Sequence, residues 1–322
     1  MKNLNKQMNL DLTRERVPTR NGYGDALMEL GKKNKKVMVL CADLKESTRV
    51  QAFAEKFPQR YVEMGVAEQN LVTVASGLAA VGKIPFASSY AVFCPGRCWE
   101  QIRTTICYND RNVKIIGAHA GISVGPDGAT HQMLEDLALM RALPNMIVVV
   151  PCDYEQAKKA TAAIAKYKGP TYMRFAREKT EQITTSKTSF KIGVAQIFKD
   201  GSDVALVAAG PLIYECLLAA DKLNEKGIKA MVVNCHTIKP LDGRTLLTVA
   251  RKCKKVITVE EAQIAGGLGG AVAEFLSEVY PVKMKRIGVR DHFGESGEPD
   301  ELLKKFGCSA EAIYKESLKL CT

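Results

Sequence analysis

Two short stretches hold the side chains best suited to chemistry. In Met64-Gly-Val-Ala-Glu-Gln-Asn-Leu-Val72 the carboxylate of Glu68 stands at the start of a helical pattern rich in small residues. A carboxylate there is an ordinary complement to the positive end of a helix dipole. If buried, the same group can keep a proton and hydrogen-bond a heteroaromatic nitrogen. Position alone does not choose between these readings. The second stretch, Gly117-Ala-His-Ala-Gly-Ile-Ser-Val-Gly-Pro-Asp-Gly-Ala-Thr-His131, follows an apolar run and sets His119, Asp127 and His131 in a glycine-rich loop. In an open α/β sheet the carboxyl end of a strand is where ligands bind, and glycine permits tight turns and close backbone approach. Metal binding is a rival reading, but separations of eight and four residues across a loop match no familiar metal signature. A merely structural glycine loop has little need of two histidines in a chain that holds four.

Other stretches are less specific. Tyr90-Ala-Val-Phe93 follows the run Ile84 to Ser89 and either presents an aromatic face to a ligand or packs in the core. Cys94 and Cys98 flank a Pro-Gly-Arg turn, with no second pair to complete a zinc site. Gly266-Gly-Leu-Gly-Gly270 precedes a helical pattern and could offer amides to an anion, although a close turn into the helix is the simpler role. No phosphate-loop lysine motif occurs.

These residues need a scaffold, and the pattern around them supplies one. Short apolar runs at Val37–Cys41, Val113–Gly117 and Met146–Val150 read as buried strands. Helical patterns lie at about 22–33, 68–81, 96–108 and 133–142, and Asp153 is a good cap for a helix to about Lys166. From Glu178 to Lys191 the pattern fails in a polar, hydroxyl-rich stretch that reads as a linker. Strand-like runs then resume at 204–209, 230–235, 256–259 and 283–287, separated by helical patterns at 212–226, 245–253 and 270–279. The expected fold class is α/β: two domains, residues 1–188 and 189–322, each a mostly parallel sheet covered by helices. Hydrophobic residues at 46% and charged residues at 25% suit an ordinary globular protein and exclude a largely disordered chain. No apolar run reaches the roughly 20 residues of a membrane span. Met1 to Leu12 is polar and lacks the apolar core of a secretion signal. Ten cysteines without such a leader suggest reduced thiols and a cytoplasmic protein. Of the 46 basic and 35 acidic residues, which leave a charge of +11, the lysine clusters fall at helix ends without aromatic platforms. No nucleic-acid or membrane partner is expected, whereas anionic substrates suit the charge.

Taken together, these segments resemble the C-terminal half of transketolase, over about Thr19 to the end. The most specific match is Gly125-Pro-Asp-Gly-Ala-Thr-His-Gln132, followed by Leu137 and Leu143-Pro-Asn145, and Gly65-Val-Ala-Glu-Gln-Asn70 resembles the family's catalytic-glutamate motif. The resemblance implies a pyrimidine-binding domain for thiamine diphosphate and a C-terminal domain. It implies that Glu68 contacts the aminopyrimidine and drives its shift to the imino form by sharing a proton. It implies that Phe93 stacks on that ring with Tyr90 beside it, that Asp43 matches an acidic residue near the cofactor, and that His119, Asp127 and His131 face the sugar. Arg20, Ser47 and Arg177 match contacts to a substrate phosphate. His119 looks like transketolase, whereas deoxyxylulose-phosphate synthases usually show Asp-Arg near that place. Asn70 departs from the family's usual histidine. The Gly-Asp-Gly segment and spaced asparagine that hold the diphosphate and its Mg²⁺ (or Ca²⁺) do not occur, and a full transketolase is about twice as long. The chain therefore resembles one subunit of a split enzyme of the pentose phosphate type. It would be active with an N-terminal partner that carries the diphosphate and metal, as a heterotetramer, or homodimeric when alone. Alternatives are a split deoxyxylulose-phosphate synthase-like enzyme, a 2-oxoacid dehydrogenase beta subunit, and a non-catalytic homologue, which the joint presence of Glu68, His119, Asp127 and His131 disfavours.

Overall fold

The computed structural model describes residues 16–321, so the polar stretch Met1 to Leu12 lies outside the described residues. In chain order the strands are β1 Val17–Pro18, β2 Val37–Cys41, β3 Tyr61–Glu63, β4 Ile84–Tyr90, β5 Lys114–Ala118, β6 Ile147–Val149, β7 Thr171–Arg174, β8 Lys179–Thr180, β9 Gln196–Lys199, β10 Val204–Ala208, β11 Ala230–Asn234, β12 Thr237–Lys239, β13 Lys255–Gln263 and β14 Lys283–Val289. One sheet has seven strands in the order β12-β6-β7-β5-β4-β2-β3, parallel except for β12. The second has five, β14-β13-β10-β11-β9, parallel except for β9. The apolar runs are strands because helices cover both faces of each sheet. β10 is buried at every position, which is what a continuous rather than alternating apolar run specifies. β5 is buried throughout as well, with the Lys114 ammonium bonded to the carbonyls of Tyr167 and Gly169.

The two halves are stitched together. β12 comes from the second half of the chain but closes the edge of the first sheet, antiparallel to β6. Val148 and Tyr172 share one apolar cluster with Val207, Val233 and Leu246. The polar stretch 178–191 is mostly irregular, as its composition predicts, but Lys179–Thr180 pairs with Val17–Pro18. Asp153 caps the helix Tyr154–Lys166 through Gln156 N and also accepts the amides of Ile183 and Thr184, which fastens that stretch to the first domain. No helix among the described residues is long and apolar enough to cross a membrane. All ten cysteines are unpaired.

One local expectation is corrected, and one open reading is resolved. Residues 96–108 do not form one regular helix: a 3₁₀ turn at Gly96–Cys98 and a single α turn lead into a π-helix over Ile102–Cys107. The hydroxyls of Thr104 and Thr105 bond back to the carbonyls of Glu100 and Gln101, and Ser76 takes the carbonyl of Thr105, so side chains compete with the backbone ladder. The amides of the Gly266–Gly270 turn do meet an anion, but it is the protein's own. Glu260 accepts from Leu268 N at 2.7 Å and Gly269 N at 2.8 Å, at the start of the helix Leu268–Val279. Burial pushes this carboxyl up to about 7, against the pull of those two amides.

Candidate active site

Parallel strands bring their carboxyl ends to one rim of the first sheet, and the candidate residues follow those ends. Ser47 follows β2, Glu68 follows β3, Tyr90 ends β4, His119 follows β5 and Arg177 follows β7. Chain positions as much as 130 residues apart thus reach one rim because of strand order.

The aromatic side chains form a continuous wall. Tyr90 stacks on Phe93 with centroids 5.9 Å apart and on His119 at 4.0 Å, while His131 meets Phe93 edge-on at 5.6 Å. The tight reversal after β4 places Phe93 here, since Phe93 N and Cys94 N both bond the Tyr90 carbonyl. Glu68 opens its helix and is 5% exposed. Arg97 bridges these two parts. Its guanidinium lies 4.2 Å over the Phe93 ring and 3.5 Å from Glu68 Oε2. No feature of the residue spacing announced Arg97. Its signal was only its place four residues after Phe93.

A positive region borders the wall. Arg20 donates to the Ser47 carbonyl at 3.0 Å and to His119 Nε2 at 3.1 Å. A guanidinium only donates, so Nε2 is the acceptor and Nδ1 carries the hydrogen of the neutral ring. Nδ1 is buried with no hydrogen-bond partner among the described residues. Burial, then the charges of Arg20, Arg177, His131 and Arg49, push His119 down to about 3. Burial and the neighbouring Arg49 also lower Arg20. Arg177 reaches Asp127 at 3.4 Å and the Val124 carbonyl at 2.8 Å, so these two candidates meet one another. His131 Nδ1 lies 2.9 Å from the Thr130 hydroxyl. Asp43 is exposed, and its amide donates to Glu63 Oε1 at 2.8 Å; no hydrogen bond or ion pair ties it to Glu68, Phe93 or Tyr90 among the described residues. Among the described residues no three His, Cys, Asp or Glu side chains gather as a metal site would require.

A buried carboxylate beside an aromatic face, set on the rim of a parallel sheet and joined to a second α/β domain, is the arrangement of a thiamine-type pyrimidine-binding unit. The chain belongs to the transketolase family: the model of the transketolase pyrimidine-binding domain matches residues 15–182 and that of the transketolase C-terminal domain residues 193–313. Among relatives, a putative transketolase C-terminal section of Methanocaldococcus jannaschii is 48% identical over 304 residues, covering 93% of this chain and 95% of that protein. The 6-deoxy-6-sulfo-D-fructose transketolase subunit SqwH of a Clostridium species is 40% identical, covering 92% of each. A solved structure described as a split gene transketolase, inactive beta4 tetramer, superposes with a TM-score of 0.89 at 46% identity, over 95% of this chain and 98% of that one.

Proposed function

We propose that this chain is the pyrimidine-binding and C-terminal subunit of a two-chain transketolase, moving two-carbon ketol units between ketose and aldose phosphates, with domains divided near residue 188. One observation carries the cofactor reading. Arg97, a flat hydrogen-bond donor, is wedged between the Phe93 face and the Glu68 carboxylate. It stands where an aminopyrimidine would, with one group to stack on and one to share a proton, so the residues present fit thiamine diphosphate. When bound, that cofactor supplies the carbanion chemistry that breaks and remakes a carbon–carbon bond beside a carbonyl.

The chain's own residues then divide the work. Glu68 holds a proton at the ring nitrogen, and Phe93 and Tyr90 fix the ring plane. Arg20 and Arg177 flank His119 and select anionic sugars, with Ser47 held beside Arg20 through its carbonyl. Burial comes first in lowering His119, and an arriving phosphate would offset the Arg20 and Arg177 charges that add to it, raising its proton affinity as a sugar oxygen needs a donor. His131 and Asp127 bound the same space from the loop. Diphosphate and metal fall to a partner chain, a reading supported by the likeness to a transketolase C-terminal section over 95% of that protein's length. Two copies of each chain make the smallest symmetric assembly with two complete sites.

The test is a transfer assay with both subunits, a ketose phosphate donor and an aldose phosphate acceptor, with the product sugars resolved by chromatography. Two-carbon exchange supports the reading. Decarboxylation of a 2-oxoacid instead, with or without condensation onto an aldose phosphate, refutes it.

A further inference from the structure

The loop that carries His119, Asp127 and His131 is not held by its own domain alone. Ser123, in its middle, donates its backbone N–H to Glu261 Oε2 at 3.1 Å, and Glu261 lies on β13 of the second domain. The approach depends on Gly121, whose φ of +93° few other residues adopt. A Cβ at that position would lie 2.5 Å from the Glu261 carboxyl carbon. The Glu261 carbonyl in turn accepts from Arg174 at 2.8 Å, and Arg174 pairs at 3.4 Å with Asp136, which opens the helix after the loop. Gln132 closes the other end, donating to the carbonyls of Ile122 and Gly125 and to that of Glu295 in the second domain.

Closing a domain seam needs only an apolar side chain, and a buried acid costs more than one. Glu261 is 6% exposed, and burial raises its proton affinity, a cost set against what it holds. We propose that Glu261 is a positioning residue: its carboxylate, reaching across from the second domain, fixes the loop so that His119 and His131 meet Tyr90 and Phe93. The second domain thereby acts on a site to which it contributes no side chain. The effect on turnover rests on the loop facing the sugar, as proposed above, but the effect on loop geometry does not.

Histidine-selective NMR of the full chain tests this without activity, because the chain has four histidines. In wild type, burial and then the neighbouring Arg20, Arg177, His131 and Arg49 hold His119 down to about 3, so its ring signals stay still from pH 8 to 5. Removing a negative charge would by itself lower His119 further. A released loop hydrates the ring and draws it from Arg20. In Glu261→Ala the His119 signals are therefore expected to start moving as pH falls toward 5. His236, stacked on Phe190 at 4.3 Å and pushed to about 4, stays silent and reports an intact fold. Should Glu261→Ala unfold, Glu261→Asp keeps the charge, withdraws the acceptor by one methylene, and is expected to move His119 the same way. In the reconstituted enzyme Glu261→Ala should lower kcat/KM for the ketose phosphate tenfold or more with cofactor affinity unchanged. Glu261→Gln, whose amide oxygen still accepts the Ser123 N–H, should restore most of it. An unmoved His119 in a folded variant, or wild-type kcat/KM in Glu261→Ala, overturns the proposal. A wild-type mixture without ketol transfer sinks the functional reading instead, and the NMR result still decides the positioning.

Discussion

Arg97 gives the cofactor reading a quantitative edge. If its guanidinium occupies the place of the aminopyrimidine, bound cofactor must displace it, and Arg97→Ala removes that competitor. The stack on Phe93 at 4.2 Å involves a side chain that is 53% exposed, so it contributes about 0.5–1 kcal/mol. The ion pair with Glu68, at 3.5 Å, is discounted for the same exposure to about 0–1 kcal/mol. Together they come to about 1 kcal/mol, or roughly a fivefold tighter Kd in the variant. The assay is calorimetric titration of thiamine diphosphate into the reconstituted subunits at saturating Mg²⁺, wild type against Arg97→Ala. A Kd that weakens by a similar factor would refute the displacement and make Arg97 a direct ligand of the cofactor.

Glu68→Gln, which alters proton sharing with little change of volume, should cut turnover by about two orders of magnitude or more with unchanged thermal stability. Near-normal turnover would remove Glu68 from its role. Arg177→Ala should raise KM for phosphorylated sugars about tenfold or more with kcat nearly unchanged, since a ground-state phosphate contact contributes uniform binding. An equal loss with unphosphorylated sugars would contradict it. For Glu260, a folded pKa of about 7 against 4.5 in the unfolded chain means that its contribution to stability is full below pH 4.5 and is lost as pH rises through 7. Urea midpoints at pH 5 and 7.5 should therefore fall less in Glu260→Gln than in wild type, and equal slopes would show that Glu260 is not the group responsible.

Much of the scaffold was legible because its signals are local. Val37–Cys41 and Val204–Ala208 are apolar throughout and fold as buried strands, and Asp153 caps its helix as its residue type indicates. What was not legible depends on distant partners. Thr237–Lys239 is three residues long and becomes a strand only by pairing with β6 of the other domain. Thr104 and Thr105 look acceptable in a helix, but their hydroxyls take the carbonyls that a regular ladder needs. At the site, residue types nominated Glu68, Phe93 and His119, and strand order brought them to one rim. The guanidinium of Arg97 on Phe93 and the reach of Glu261 to Ser123 are side-chain contacts across the fold that no spacing encodes. Asp43 shows the converse: a motif match that is exposed and tied through its amide to Glu63.

The central claim is that this chain holds the pyrimidine end of the cofactor and needs another chain for the rest. Titrating thiamine diphosphate and Mg²⁺ into the chain alone, and then into the chain mixed with a subunit carrying the diphosphate motif, tests it directly. The account predicts weak, metal-independent binding to the chain alone and tight, metal-dependent binding to the mixture. Tight, metal-dependent binding to the chain alone would contradict it.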